Sequence, residues 1–143
     1  MRALALAGLA VLSACATPRT LSAPDNLASG RAALESADAA ARAKGAWDLG
    51  QLGLTEIPEG ESETAVSISL REAAVAALVP VVSDPEASVR RVAVEALGKT
   101  GGLEIEGALL SAGTDIDAGV RGEVALALFR RRFLKRVPEY STA

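Results

Sequence analysis

The sequence contains no histidine and only one cysteine. Histidine is the commonest general base, the usual partner that activates a serine or cysteine nucleophile, and a frequent metal ligand. A zinc site built from cysteine and histidine is therefore excluded, and no intrachain disulfide can form. Glycine-rich phosphate loops and the G-x-S-x-G nucleophile turn are also missing. We predict no catalytic residues, no metal, no cofactor and no small-molecule substrate.

Aromatic residues are scarce, at 3% of the chain, although apolar residues make up 50%. Alanine, leucine and valine must therefore supply the core. Alanine has the highest helix propensity, whereas strands favour β-branched and aromatic residues. A chain of 143 residues has room for one domain. The composition predicts an all-α fold.

The N-terminus has the pattern of an export signal. Arg2 precedes ten apolar residues, Ala3–Leu12, a stretch too short to cross a membrane as a helix, which takes about 20. The lipobox of bacterial lipoproteins is a leucine, two small residues and a cysteine, which the chain resembles at Leu12, Ser13, Ala14 and Cys15. The resemblance implies that residues 1–14 are a signal peptide and that Cys15 carries a thioether-linked diacylglyceryl group.

This resemblance also implies where the protein resides. A lipid on Cys15 would hold it on a membrane of the cell envelope, since two or three acyl chains bind firmly. Ala16, in place of aspartate, favours the periplasmic face of the outer membrane if the source is Gram-negative. Residues 15–28 contain two prolines and several small polar residues, and are predicted to be a flexible tether. The alternative is a buried N-terminal helix in which Cys15 is merely a small apolar residue.

An internal repeat organises the rest of the chain. The segment SDPEASVRRVAVEALG at 83–98 aligns with TDIDAGVRGEVALALF at 114–129, at a spacing of 31 residues. A weaker copy lies 48 residues upstream of the middle one. The alignment places Asp84 on Asp115, and it brings Arg42, Arg90 and Arg121 to one position. Gly50 and Gly98 also coincide, whereas the third copy has Phe129 there.

Each copy predicts a helix. In the middle copy, apolar residues at Val89, Val92, Ala93, Ala96 and Leu97 form one helical stripe. Asp84 is predicted to cap this helix, with Pro85 as its first residue, and Gly98 or Gly101 to close it in the left-handed conformation. Second helices are predicted at Ser69–Ser83, with a kink or early end at Pro80, and at about Leu103–Ala112.

Helix pairs at this spacing, with the run VRRVAVEALGKTGG at 89–102, resemble HEAT repeats, particularly the short bacterial kind first noted in phycobilisome lyases. The resemblance implies a short α-solenoid of about 2.5 antiparallel helix pairs over residues 29–143, the third of them incomplete. It also implies that Arg42, Arg90 and Arg121 form a structural ladder that braces neighbouring units. HEAT repeats are specific for a fold and not for a function.

Three other features have a structural and a functional interpretation. Glutamates at 56, 59, 61 and 63 lack the order of a calcium loop, so no calcium site is predicted. Trp47 is interpreted as a packing residue, against Leu34 or the segment 54–67, rather than as a binding hot spot. A basic interaction patch is possible at Arg130, Arg131, Arg132, Lys135 and Arg136. Because export removes the chain from nucleic acid, the patch suits a solvated face, anionic lipid or a protein interface.

Two functions are compatible with these patterns. The preferred hypothesis is a non-catalytic envelope lipoprotein whose repeat surface binds another envelope protein. The alternative is the N-terminal repeat region of a longer lipoprotein enzyme, such as a cyclophilin-type peptidyl-prolyl isomerase, and the incomplete third unit motivates it. Residues 1–143 contain nothing that resembles the isomerase itself.

Overall fold

A computed structural model describes residues 23–54, 64–102 and 104–133. These residues form helices and no strands, which confirms the predicted all-α fold. The six α-helices are α1 (Ala23–Leu34), α2 (Ala39–Gln51), α3 (Ala65–Leu78), α4 (Ala87–Thr100), α5 (Glu106–Ala112) and α6 (Ala118–Phe133). Short 3₁₀ helices follow α2 at Leu52–Leu54 and α3 at Val79–Ser83.

The helices pack in two layers. In the first, α2 lies against α4 and α4 against α6, so the three helices that carry the aligned repeats are neighbours. The second layer consists of α1, α3 with its 3₁₀ extension, and α5, which contact the first layer and one another in chain order. Aligned residues of the three copies are therefore presented side by side.

The core between the layers is aliphatic. Leu49, Leu78, Leu97 and Leu109 are fully buried and come from four different helices, and Ile105, just before α5, is fully buried as well. At about 25 cal/mol per Å² of apolar surface, burying side chains of this size provides much of the driving force for folding. Thr100 is a buried polar residue, and its hydroxyl donates to the Leu97 carbonyl at 2.9 Å. Short aliphatic side chains thus hold the two layers close together.

Helix starts differ from those predicted in three places. The chain is helical from Ala23, so the flexible tether predicted for residues 15–28 is wrong for residues 23–28, and residues 15–22 lie outside the described residues. Pro24 suits the first turn of a helix, where an N–H has no intrahelical partner. Helix α3 starts at Ala65 rather than Ser69, because the Thr64 hydroxyl caps it by accepting from the Ser67 N–H. Helix α5 starts at Glu106, and Leu103 lies outside the described residues.

The predicted cap of α4 was wrong. Its N-cap residue is Glu86, with no side-chain cap, and Pro85 lies outside the helix. Asp84 instead accepts from the Glu86 N–H at 2.9 Å, and its carboxylate faces an arginine of the preceding unit. At the other end, Gly101 takes the positive φ of 69° that closes the helix, whereas Gly98 stays helical.

The region around Pro80 behaves as predicted, since α3 ends at Leu78 and the chain continues as a 3₁₀ helix. Together the two segments, Ala65–Ser83, are long and apolar enough to cross a membrane by length and composition alone. Ala74, Val75, Leu78 and Val82 of this stretch lie in the core. Packing therefore accounts for part of its apolar character.

Candidate functional site

An arginine–aspartate pair joins the first repeat helix to the second. Arg42 on α2 donates from Nε and Nη2 to the two carboxylate oxygens of Asp84, at 2.7 and 3.0 Å. Its Nη1 donates to the carbonyls of Ser36 and Ala37 in the turn before α2, both at 3.0 Å. One planar guanidinium thus ties its own turn to the turn that starts the next unit, a bidentate geometry that favours arginine over lysine.

The same arrangement recurs one unit later. Arg90 on α4 donates from Nε and Nη2 to Asp115, at 2.7 and 2.9 Å. Its Nη1 donates to the carbonyls of Asp84 and Pro85, at 2.9 and 3.1 Å. The pairs Arg42–Asp84 and Arg90–Asp115 form what we call the arginine–aspartate ladder. All four of these side chains are at most 14% exposed.

The third arginine keeps only half of this arrangement. Arg121 on α6 donates from Nη1 to the carbonyls of Asp115 and Ile116, at 2.7 and 2.9 Å. Within residues 23–54, 64–102 and 104–133, no carboxylate pairs with it, and the residue is exposed. Its side chain is therefore held by its own turn through Nη1, as in the other two units.

The ladder lowers the pKa values of its two carboxylates. The hydrogen bond from Arg42 lowers the pKa of Asp84 below its ordinary value, against the opposing effect of burial. The hydrogen bond from Arg90, with help from the Asp117 N–H, lowers the pKa of Asp115 in the same way. Both aspartates are thus ionised at neutral pH and stabilise the folded state in that form.

This pKa shift predicts how stability depends on pH. A carboxylate whose folded-state pKa lies below its unfolded value, about 3.9, contributes stability at higher pH and loses it as the pH falls through the folded-state pKa. We expect the double variant Asp84→Asn/Asp115→Asn to be less stable than the wild type at pH 7, with the difference shrinking as the pH falls from about 5 towards the lowered folded-state pKa values. Urea unfolding at several pH values measures it.

The matched control for this experiment is Asp48→Asn. Asp48 pairs with Lys44, whose side chain is 72% exposed, so its loss is expected to change stability little at any pH. A difference between the double variant and the wild type that stays constant from pH 7 to pH 3 would contradict the ladder's contribution.

Close approach of the helix backbones accompanies the ladder. A Cβ atom at Gly50 would lie 2.8 Å from the Cβ and 2.9 Å from the Cα of Ala96. At Gly98 it would lie 2.7 Å from the Cβ and 2.9 Å from the Cα of Ala127. Real Cβ atoms do not approach so closely, so glycine is required at both positions. The aligned residue of α6 is Phe129, which is 61% exposed.

One face of the first layer carries an exposed tryptophan. Trp47 on α2 is 49% exposed, and the Lys99 ammonium lies 5.9 Å from its ring centroid, within range of a cation–π contact. Lys99 also pairs with Glu95 at 2.7 Å. Leu126, at the aligned position of α6, is 50% exposed. Trp47 therefore contacts the second repeat helix and still presents much of its surface to solvent.

The predicted basic patch is only partly within the described residues. Arg130 donates to Glu123 at 2.9 Å, so its charge is already paired within α6. Arg131 is partly exposed. The side chain of Arg132 and all of Lys135 and Arg136 lie outside the described residues. Of the five predicted residues, the structure thus places only the side chains of Arg130 and Arg131, near the end of α6, and the charge of Arg130 is paired.

Two other sequence features lie outside the described residues. These are the lipobox residues Leu12, Ser13, Ala14 and Cys15, and the glutamates at 56, 59, 61 and 63. Among the residues that are described, no group of three or more histidine, cysteine, aspartate or glutamate side chains could hold a metal ion.

An open depression of about 430 Å³ lies between α3 and the start of α5. Val75, Ala76 and Val79 form its apolar wall, and Glu72 and Glu104 border it. Glu104 is 3.7 Å from Arg71, a loose ion pair at the surface.

The sequence pattern did not identify the partners of the ladder arginines, because Asp84 has the residue type and position of a helix cap and Asp115 is only its aligned counterpart. A usable signal was present, since each aspartate precedes its own unit's arginine by six residues in two copies. Ser36 stands six residues before Arg42, and its hydroxyl accepts from the Asp38 N–H as the aspartates do in their turns. The first unit thus keeps the turn without the carboxylate.

No protein-family model and no curated protein sequence matches the chain.

Proposed function

We propose that the chain is a lipid-anchored lipoprotein of the cell envelope whose HEAT-like helical stack is a non-catalytic protein-binding module. Anchoring through Cys15 is supported by the order Leu12-Ser13-Ala14-Cys15 after a ten-residue apolar stretch. A diacylglyceryl group there would fix the location, and a source with a Gram-negative envelope would place it on the periplasmic face of the outer membrane.

The observation that carries the binding half of the proposal is the repeated interface. Two successive pairs of helices, α2–α4 and α4–α6, use the same bidentate arginine contact and the same glycine–alanine approach. Stacked helices held in this way present extended, preformed surfaces to a partner. Exposed Trp47, Leu126 and Phe129 on the first layer supply apolar anchors of the kind that protein interfaces use.

The non-catalytic part of the proposal follows from side-chain chemistry. The chain has no histidine, and lipid attachment would consume its one thiol. Two pairs of charged groups in the first layer are engaged with each other, namely Glu95–Lys99 and Glu123–Arg130. Paired charges of this kind surround a docking surface rather than activate a nucleophile.

Cell fractionation combined with crosslinking tests the proposal. In a bacterium that processes lipoproteins, wild-type chain is expected in the membrane fraction, and Cys15→Ala is expected to leave it. A lysine-reactive crosslinker applied to intact cells should link the wild type to an envelope protein. Wild type that stays soluble contradicts the anchor, whereas a membrane-bound chain that forms no crosslinked species contradicts the binding module.

A further inference from the structure

The outer face of α6 is built like the faces that α2 and α4 use to bind their neighbours, but it is uncovered within the described residues. Leu49 and Leu97 are fully buried, whereas the aligned Leu128 is 42% exposed. Ala46 and Val94 are also fully buried, whereas the aligned Ala125 is exposed. We call Arg121, Gly122, Ala125, Leu128 and Phe129 the α6 face.

Arg121 determines which chemical group of a partner this face can bind. In both earlier units the arginine has Nη1 on two carbonyls of its own turn and gives Nε and Nη2 to an aspartate that precedes the next helix. Arg121 already has Nη1 on the carbonyls of Asp115 and Ile116. By analogy with the first two units, Nε and Nη2 of Arg121 are therefore placed to donate to a carboxylate in a bidentate pair. In those two units the carboxylate lies just before the start of the next helix.

A second copy of this chain does not supply that carboxylate by continuing the stack. Its leading unit has Ser36 where the later units have Asp84 and Asp115, so Arg121 would face a hydroxyl. Phe129 further restricts which helix can pack here. It occupies the position at which Gly50 and Gly98 leave room for an alanine of the neighbouring helix. The helix that fits here has an aspartate in its first turn and very small residues opposite the ring.

We propose that the α6 face docks a helix of another protein, whose leading turn carries an aspartate that pairs with Nε and Nη2 of Arg121. The inference rests on the proposed protein-binding function and specifies which surface and which partner chemistry serve it. Leu128 and Phe129 provide the apolar contact, and Arg121 sets the register through its two parallel hydrogen bonds. Gly122 and Ala125 allow the partner backbone to come close.

A synthetic peptide copied from the chain tests the proposal. Residues 81–100 contain the turn with Asp84 and the helix that docks on Arg42, and Ala96→Gly in the peptide makes room for Phe129. Full-length protein in detergent is titrated against the labelled peptide, and binding is followed by fluorescence anisotropy. We expect saturable binding to the wild type and affinity weaker by about tenfold or more for Arg121→Gln.

Matched variants separate this pairing from a general effect of charge or folding. Arg131→Gln removes a positive charge ten residues further along α6 and is expected to bind as the wild type does, whereas Arg121→Lys keeps the charge but loses the bidentate pair and should bind weakly. Asp84→Asn in the peptide should weaken binding as much as Arg121→Gln does, and the two changes together should add little. Thermal unfolding of each variant confirms that it is folded.

Several results would overturn the proposal. They are absence of peptide binding to the wild type, equal binding by Arg121→Gln, and binding that appears only after residues 134–143 are deleted, which would assign the face to this chain itself. A wild-type dimer that Arg121→Gln dissociates in sedimentation would assign it to a second copy. None of these depends on membrane fractionation or crosslinking, so the proposed function can stand or fall separately.

Discussion

Replacing Gly98 by leucine is expected to destabilise the protein by about 3 kcal/mol or more, because the new side chain would have to separate α4 from α6. Even a single Cβ atom would lie 2.7 Å from the Ala127 Cβ and 2.9 Å from its Cα. These are atoms of the helix itself, so no side-chain rotation relieves the contact. Chemical denaturation followed by circular dichroism measures the loss.

Gly122 and Gly107 provide matched controls for this prediction. Both are exposed helical glycines, and a Cβ atom at either would meet nothing within 4 Å. Substitution by alanine at either position is expected to raise stability by about 0.5–1 kcal/mol, since glycine is the poorer helix former. If Gly98→Ala and Gly122→Ala shift stability in the same direction and by the same amount, the close approach of α4 and α6 is contradicted.

Replacing Leu97 by alanine is expected to lower the free energy of unfolding by about 2–5 kcal/mol, through lost transfer energy and the cavity left behind. Leu97 lies on α4, the central helix of the first layer, and is fully buried. Urea unfolding measures the change, which is a large fraction of the stability of a small domain.

The control for Leu97 is the same substitution at Leu126, which is 50% exposed on α6. There the change removes less buried surface, and we expect an effect of about 1 kcal/mol or less. Comparable losses at the two positions would mean that the core does not lie between the two layers as described.

The repeat register explains why much of the fold could be predicted from the sequence. A stripe of apolar residues every three to four positions indicates a helix, and its recurrence after 31 residues places like helices beside one another. Val89, Ala93 and Leu97 of the predicted stripe are fully buried. Composition alone favoured helices, because so few residues suit a sheet interior.

Helix ends and ladder partners could not be predicted in the same way. Asp84 has the residue type and position of an N-cap, and local sequence does not reveal that Arg42, 42 residues earlier, competes for its carboxylate. A bidentate charged pair outweighs a single cap bond, so the helix begins at Ala87 without a side-chain cap. The turn before α4 is thus determined by tertiary contact rather than by local propensity.

Gly98 and Gly101 also differ in a way that depends on tertiary contacts. Both follow the apolar stripe and both suit a helix end, yet only Gly101 adopts a positive φ. Gly98 has the same structural role as Gly50 of the first unit, since each allows an alanine of the neighbouring helix to come close. A glycine in this part of the sequence can either close a helix or admit a neighbouring helix. Which of these it does depends on where the neighbouring helix lies.

The central claim is that Cys15 anchors the chain, and mass spectrometry of the N-terminal peptide tests it most directly. Membrane fractions from bacteria that express either the wild type or Cys15→Ala are digested, and the peptide that begins at residue 15 is sought. We predict that the wild type yields this peptide with a diacylglyceryl group on Cys15 and that the variant does not. A wild-type chain that retains Met1 and an unmodified Cys15 would contradict the account.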